Sequence, residues 1–237
     1  MLFGIIASLL WSTVFVAGRY LCDVLGVHPI MVAFLRFANA GVISVLYIAC
    51  RGKARELSLL IEKPVLIGLL GLTGIFGMGS AVFFALKHST SVDVSIIMNS
   101  NAIFIAPLAL LVGERLTFRK TIGVIIGSLG CALVINGKII GLQLIQKEHL
   151  LGNLVALIAS VCWAIYTVMG KRLVRERGGL VVTSLNMVVG SVFLFLLVAG
   201  LGALTFPPLK AFIIILYLAI FPLSLIHISE PTRQAEI

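Results

Sequence analysis

The sequence predicts an all-α membrane protein, an inverted repeat of five-helix transmembrane bundles with the second copy incomplete, and three observations carry that prediction. Hydrophobic residues make up 60% of the chain and charged residues 11%, with a mean hydropathy of +1.18, whereas soluble domains are about a quarter charged. Apolar runs recur from one end to the other, separated by short polar breaks. Residues 6–21 (IASLLWSTVFVAGRYL) reappear at 158–173 (IASVCWAIYTVMGKRL) with seven of sixteen positions identical. A spaced repeat in an apolar chain marks two copies of one bundle, and such proteins place a substrate site between the copies.

A spanning helix needs about 20 apolar residues, because the hydrocarbon core is roughly 30 Å thick and a helix rises about 1.5 Å per residue. Eight runs qualify or come close: 2–17, 29–50, 65–86, 92–112, 121–136, 150–170, 180–201 and 211–222. The first has no basic start and runs into Arg19, so it reads as a retained helix rather than a cleaved signal. The fifth is short by count and is expected to tilt less or to borrow its flanks. The eighth is too short.

Loops on the N-terminal side hold eleven basic residues (Arg51, Lys53, Arg55, Lys63, Arg115, Arg119, Lys120, Lys171, Arg172, Arg175 and Arg177), against five opposite (Arg19, Lys87, Lys138, Lys147 and Lys210). By the positive-inside rule the N-terminus is cytoplasmic, in a multi-pass protein of the plasma (inner) membrane. This explains the net charge of +9 without nucleic acid, since the cations sit in loops rather than on one face. The second repeat motif lies five spans on from the first, an odd offset, so the second copy enters from the opposite side and the repeat is inverted. A weaker echo aligns Leu35-Arg36-Phe37 with Leu185-Asn186-Met187.

The expected division is therefore 1–148 for the first five-span repeat and 149–222 for a partial second one, two spans and a stub. Residues 223–237 (LSLIHISEPTRQAEI) read as the in-frame translation of a transposase library adapter, a sequencing artefact. His227, Glu230, Arg233 and Glu236 accordingly stay outside the functional reading.

The run G-x-I-A-S-x-x-W at 4–11, Pro29 followed by Leu35-Arg36-Phe37, and Gly113-Glu114-Arg115-Leu116-Thr117 closing the fourth span resemble, in this order and spacing, the EamA-type family of drug/metabolite transporters. The resemblance covers residues 1 to about 222. It implies two inverted five-span halves moving small organic metabolites or toxic compounds, mostly outward. In one respect the chain departs from the family, which often has a proline near the start of the fourth span where Asn101 and Ala102 stand here. Pro107 lies further on, and the helix break is expected to move with it, because proline removes a backbone hydrogen bond.

Candidate substrate-binding residues follow from the spans. Arg36 is the one strongly ionisable residue well inside a span. Burying it unpaired costs about 2.5–3.5 kcal/mol on insertion scales, so it either anchors an anionic or zwitterionic substrate group or snorkels as a structural residue. Trp11 and Trp163, the two tryptophans, occupy equivalent repeat positions in mid-span, where aromatic walls suit organic ligands; helix packing is the alternative. Tyr166, one turn from Trp163, could add a hydroxyl. Asn39, Asn99, Asn101 and Asn186 need partners on another helix or on a ligand.

Other features read as structural. Gly68, Gly71, Gly74 and Gly77, and Gly123, Gly127 and Gly130, form small-residue faces for close helix packing. Glu114-Arg115 is expected to form a helix-end ion pair or to position the cytoplasmic loop. Among the cysteines, Cys22 is the candidate exposed thiol, while Cys50, Cys131 and Cys162 pack. His28, His88 and His149 lie at span edges.

An intramembrane enzyme would need a catalytic constellation, yet the chain has no HExxH, no GxSxG and no paired intramembrane carboxylate. A non-transporting scaffold is the other alternative. The expected protein is thus a transporter rather than an enzyme, without cofactor or metal, whose partners are a small-molecule substrate and the lipid bilayer, with a homodimer left open. A cysteine placed at position 55 should resist a membrane-impermeant thiol reagent in intact cells. Labelling from outside would reverse the orientation.

Overall fold

A computed structural model describes residues 2–113, 117–135 and 149–229. It is an all-α membrane protein. Five helical segments are long and apolar enough to cross a bilayer: α2 (Pro29–Cys50), α3 (Pro64–His88), α4 (Ser91–Leu111), α6 (Leu150–Arg177) and α7 (Gly179–Gly200). With them run α1 (Leu2–Arg19), α5 (Phe118–Ile135) and α8 (Leu209–Ser229).

Local chemistry sets the boundaries. Pro29 and Pro64 open α2 and α3, where a missing N–H costs nothing and the fixed φ suits a first turn. Thr90 caps α4, its Oγ1 accepting the Asp93 N–H at 3.0 Å. Gly178, at φ 84°, separates α6 from α7 where a side chain would be strained. Charge-limited counting ended the sixth span at 170, but the helix continues to Arg177, since Lys171 and the arginines are good helix formers. Likewise α8 carries on through 223–229, past the expected end of its apolar run.

Helices α2 and α7 form the central pair. Against α7 lies α3, which also packs on α6; against α2 lies α8, which also packs on α1. Beyond this centre α4 covers α6, and α5 rests on α4. The C-terminal end of α1 and the N-terminal end of α6 meet at one end of the bundle. There Arg19 donates to the Ser89 carbonyl at 2.7 Å and the Ser89 hydroxyl bonds Asn153 at 2.5 Å. At the other end Lys63 pairs with Glu176 at 3.1 Å, and Arg177 with Glu62. The two repeat-bearing helices therefore run in opposite directions.

Several expectations need correction. The α4 break lies at Ser100 and Asn101, not near Pro107, which sits inside the helical segment Ala102–Leu111. Side-chain competition accounts for it: the Ser100 hydroxyl bonds the Ile97 carbonyl at 2.6 Å, and Asn99 bonds the Ser95 carbonyl at 2.8 Å. Cys22 is buried and Cys50 exposed, because the helical path continues past Arg19 as a π-turn, Tyr20–Val24, that carries Cys22 into the core. Of the glycine faces, Gly71, Gly74 and Gly77 make close contacts, whereas Gly68, Gly123 and Gly127 face open space. Glu114-Arg115, Lys138 and Lys147 lie outside the described residues, as do the surroundings of Gly130 and the Cys131 side chain.

The close face belongs to a π-helical stretch of α3, Gly71–Gly77. A Cβ at Gly190 on α7 would fall 2.3 Å from Ile75 Cβ and 2.8 Å from the Gly71 carbonyl oxygen. Because Ile75 Cβ is tied to the backbone, neither helix can yield cheaply. Gly190→Ala should lower stability by about 1–3 kcal/mol, the range for overpacking, while Gly123→Ala should leave it unchanged or higher. Thermal unfolding in one detergent checks both, and equal midpoints would show the seam to be loose.

Candidate functional site

Trp163 and Tyr166 stand three residues apart on α6 and so share a face. Their ring centroids are 5.1 Å apart, and Trp11 from α1 approaches Trp163 at 6.1 Å. Tyr166 fits only because Gly74 is bare: a Cβ there would lie 2.3 Å from the ring. Phe37, Ile75, Met78, Thr183 and Met187 complete the wall of a cavity of about 10 Å³, roughly one water position.

Arg36 lies beside this aromatic group and is 2% exposed. Its Cζ is 5.8 Å from the Trp11 ring, 5.1 Å from Phe37 and 5.8 Å from Phe83, within cation–π range. The Nε donates to the Leu218 carbonyl of α8 at 3.4 Å, and Nη2 has no hydrogen-bond partner among the described residues. Among the described residues neither snorkelling nor an ion pair relieves the charge. The arrangement can receive an acceptor that brings negative charge, and it disfavours a cation.

Asn186 on α7, the echo position of Arg36, is fully buried, and both its amide atoms lack partners among the described residues. It lies outside the cavity lining, one residue from Met187. The other asparagines are not brought to the cavity. Asn39 donates to the Leu35 carbonyl at 2.7 Å, and exposed Asn99 bonds Ser95, each within its own helix. Asn101 is half-buried at the α4 break.

Sequence reasoning passed over Phe37, Phe83, Ile75, Met78, Thr183, Met187 and the Leu218 carbonyl. A signal for two of them was present. Phe37 and Met187 are partners in the Leu-Arg-Phe and Leu-Asn-Met echo, just as Trp11 and Trp163 are in the longer repeat, and all four line the cavity.

With this geometry in view, the likenesses to known proteins fall into place. A solved crystal structure superposes with a TM-score of 0.69 over 94% of this chain and 75% of that one, at 24% identity, which speaks for the fold alone. An uncharacterized transporter of Archaeoglobus fulgidus is 27% identical over 86% of this chain and 71% of its own length. YyaM of Bacillus subtilis, an uncharacterized transporter, is 33% identical over 53% of this chain but only 41% of its own length. The uncharacterized inner membrane transporter YedA of Escherichia coli K12 is 24% identical over 93% of the chain and 70% of its own. The model of the EamA-like transporter family matches residues 1–136 and 150–229, and the chain belongs to that family.

Proposed function

We propose that this protein carries small organic metabolites across the plasma membrane, mostly outward, by alternating access at the cavity between two inverted copies, with its N-terminus in the cytoplasm. The observation that carries the reading is that four of the eight residues in the cavity wall are matched repeat positions, Trp11 with Trp163 and Phe37 with Met187. The packing supports it as well. Exchanging α1 with α6, α2 with α7 and α3 with α8 turns the α1–α8 contact into α6–α3, turns α2–α8 into α7–α3, and leaves α2–α7 in place. A two-fold site of this kind suits a carrier that rocks about its centre.

Ties at both ends fit a closed intermediate. On the Lys63 side, the first copy's Glu62 and Lys63 hold Arg177 and Glu176 of the second. The Ser58 hydroxyl, together with Arg177, holds the Glu62 carboxyl below the usual carboxylate range. The tie is therefore fully formed at neutral pH and weakens as pH falls through that lowered value. On the other side Arg19, Ser89 and Asn153 join α1, α3 and α6. The relatives' names also favour a transporter over an enzyme.

The test is a reversible lock. In a cysteine-free background, Glu62→Cys with Arg177→Cys should crosslink under oxidation and hold that end shut. Cells making the protein should lose from their cytoplasm a metabolite that accumulates in cells lacking it. Oxidised double-cysteine cells should match the deletion, and reductant should restore export. Unchanged export in the crosslinked protein would overturn alternating access, and identical metabolite profiles with and without the protein would overturn the transport reading.

A further inference from the structure

Among the described residues Arg36 has one weak polar bond, and that bond crosses between the copies. Its donor belongs to α2 and its acceptor to α8. At 3.4 Å it is long for N–H···O, whose usual range is about 2.7–3.2 Å, and the acceptor is a neutral carbonyl within a helix. A carboxylate offers the guanidinium two parallel charge-assisted bonds, each roughly twice as strong as a neutral one. Nη2, buried and without a partner among the described residues, can take the second of them. An entering carboxylate therefore outcompetes Leu218 for the same cation.

Resting on the carrier reading above, we propose that Arg36 is a latch released by substrate: in the empty protein it ties α8 to α2 through the Leu218 carbonyl, and an organic carboxylate takes over the guanidinium and frees α8. The aromatic walls select the rest of the ligand. Trp11, Phe37 and Trp163 give its body flat apolar surface, and the buried positive charge repels cations. Neutral isosteres gain the walls but not the fork. Phosphate monoesters share the anionic chemistry, yet carry about two charges into a site with one described buried cation, so the monoanionic carboxylate is the favoured class.

The chain supplies its own probe, for its two tryptophans both line the cavity and one lies 5.8 Å from the Arg36 Cζ. The full chain in nanodiscs is titrated with acetate, hexanoate and benzoate, with hexanamide and benzamide as neutral isosteres, and with phenyl phosphate, following tryptophan emission. Hydrogen–deuterium exchange of the 209–221 segment is measured at each endpoint. Benzoate should perturb emission saturably and benzamide at least about tenfold more weakly, and benzoate should raise exchange in 209–221. Arg36→Lys, which keeps the charge and serves as the folding control, should bind more weakly because it lacks the planar fork. Arg36→Gln should exchange fast in 209–221 without ligand and not respond to benzoate. Carboxylate binding with unchanged exchange would overturn the latch. Equal responses to benzoate and benzamide, a response to phenyl phosphate alone, or no response to any carboxylate would overturn the ligand class, and export with its cysteine lock would still stand or fall by itself.

Discussion

The site depends on a side chain that is absent. Gly74 leaves bare backbone on α3, and into that gap goes the ring of Tyr166. Trp163 stacks near Tyr166, Trp11 meets Trp163, Arg36 lies near Trp11, and Arg36 reaches the Leu218 carbonyl. The series begins on α3, passes through α6, α1 and α2, and ends on α8, so each link joins different parts of the bundle. A methyl group at position 74 would displace the tyrosine, and the rings beyond it rest on that tyrosine in turn. Gly71 and Gly190 set the same spacing one turn away, where α3 and α7 meet backbone to backbone. Close apposition of this kind is how membrane helices gain packing energy where no hydrophobic effect drives them together.

Polar groups in the bundle divide according to whether their own helix can satisfy them. Asn39 and Asn99 each reach back one turn to a carbonyl, which quiets the amide without tertiary help. Arg36 and Asn186 do not. Leaving a buried polar group unsatisfied costs about 1–3 kcal/mol, and more for a charged one, so two such positions at echoing places in α2 and α7 are a sizeable burden. Packing alone gives no reason to keep both, since apolar residues of similar volume would remove the cost. The burden is consistent with a role in which the partner comes and goes.

Legibility followed the repeat. The helices, most of their limits and the pairing of the two tryptophans could be read because bilayer thickness and internal duplication leave strong marks on a sequence. Phe37 and Met187 were equally legible in the echo, but apolar residues in an apolar chain draw no notice until geometry places them. Asn39 and Asn99 mark a limit of composition, which shows an amide in a span without showing that its own helix satisfies it. The α4 break was misplaced for a related reason: Pro107 is a conspicuous helix breaker, yet the neighbouring side chains of Asn99 and Ser100 compete for backbone carbonyls first. Cys22 was misplaced because a π-turn prolongs α1 beyond its last apolar residue. Nothing in the spacing of Gly123 and Gly127 distinguishes them from Gly71 and Gly74; only the presence of a facing helix does.

The two ends of the bundle are held by interactions of a different kind from its middle. Glu62, Lys63, Glu176 and Arg177 are each more than a third exposed in their side chains, and solvated pairs of that sort contribute little. The seam between α3, α6 and α7 is closely packed, with Gly71 against the Gly190 backbone, Gly74 against the Tyr166 ring and Gly77 against Cys162, and parting it would forfeit that packing. Parting the Lys63 end merely exchanges solvated ion pairs for solvated ions, whereas at the other end Ser89 is buried against α6. The solvated ties at the Lys63 end therefore cost less to part than the packed seam, to which Tyr166 and Gly74 fix the cavity.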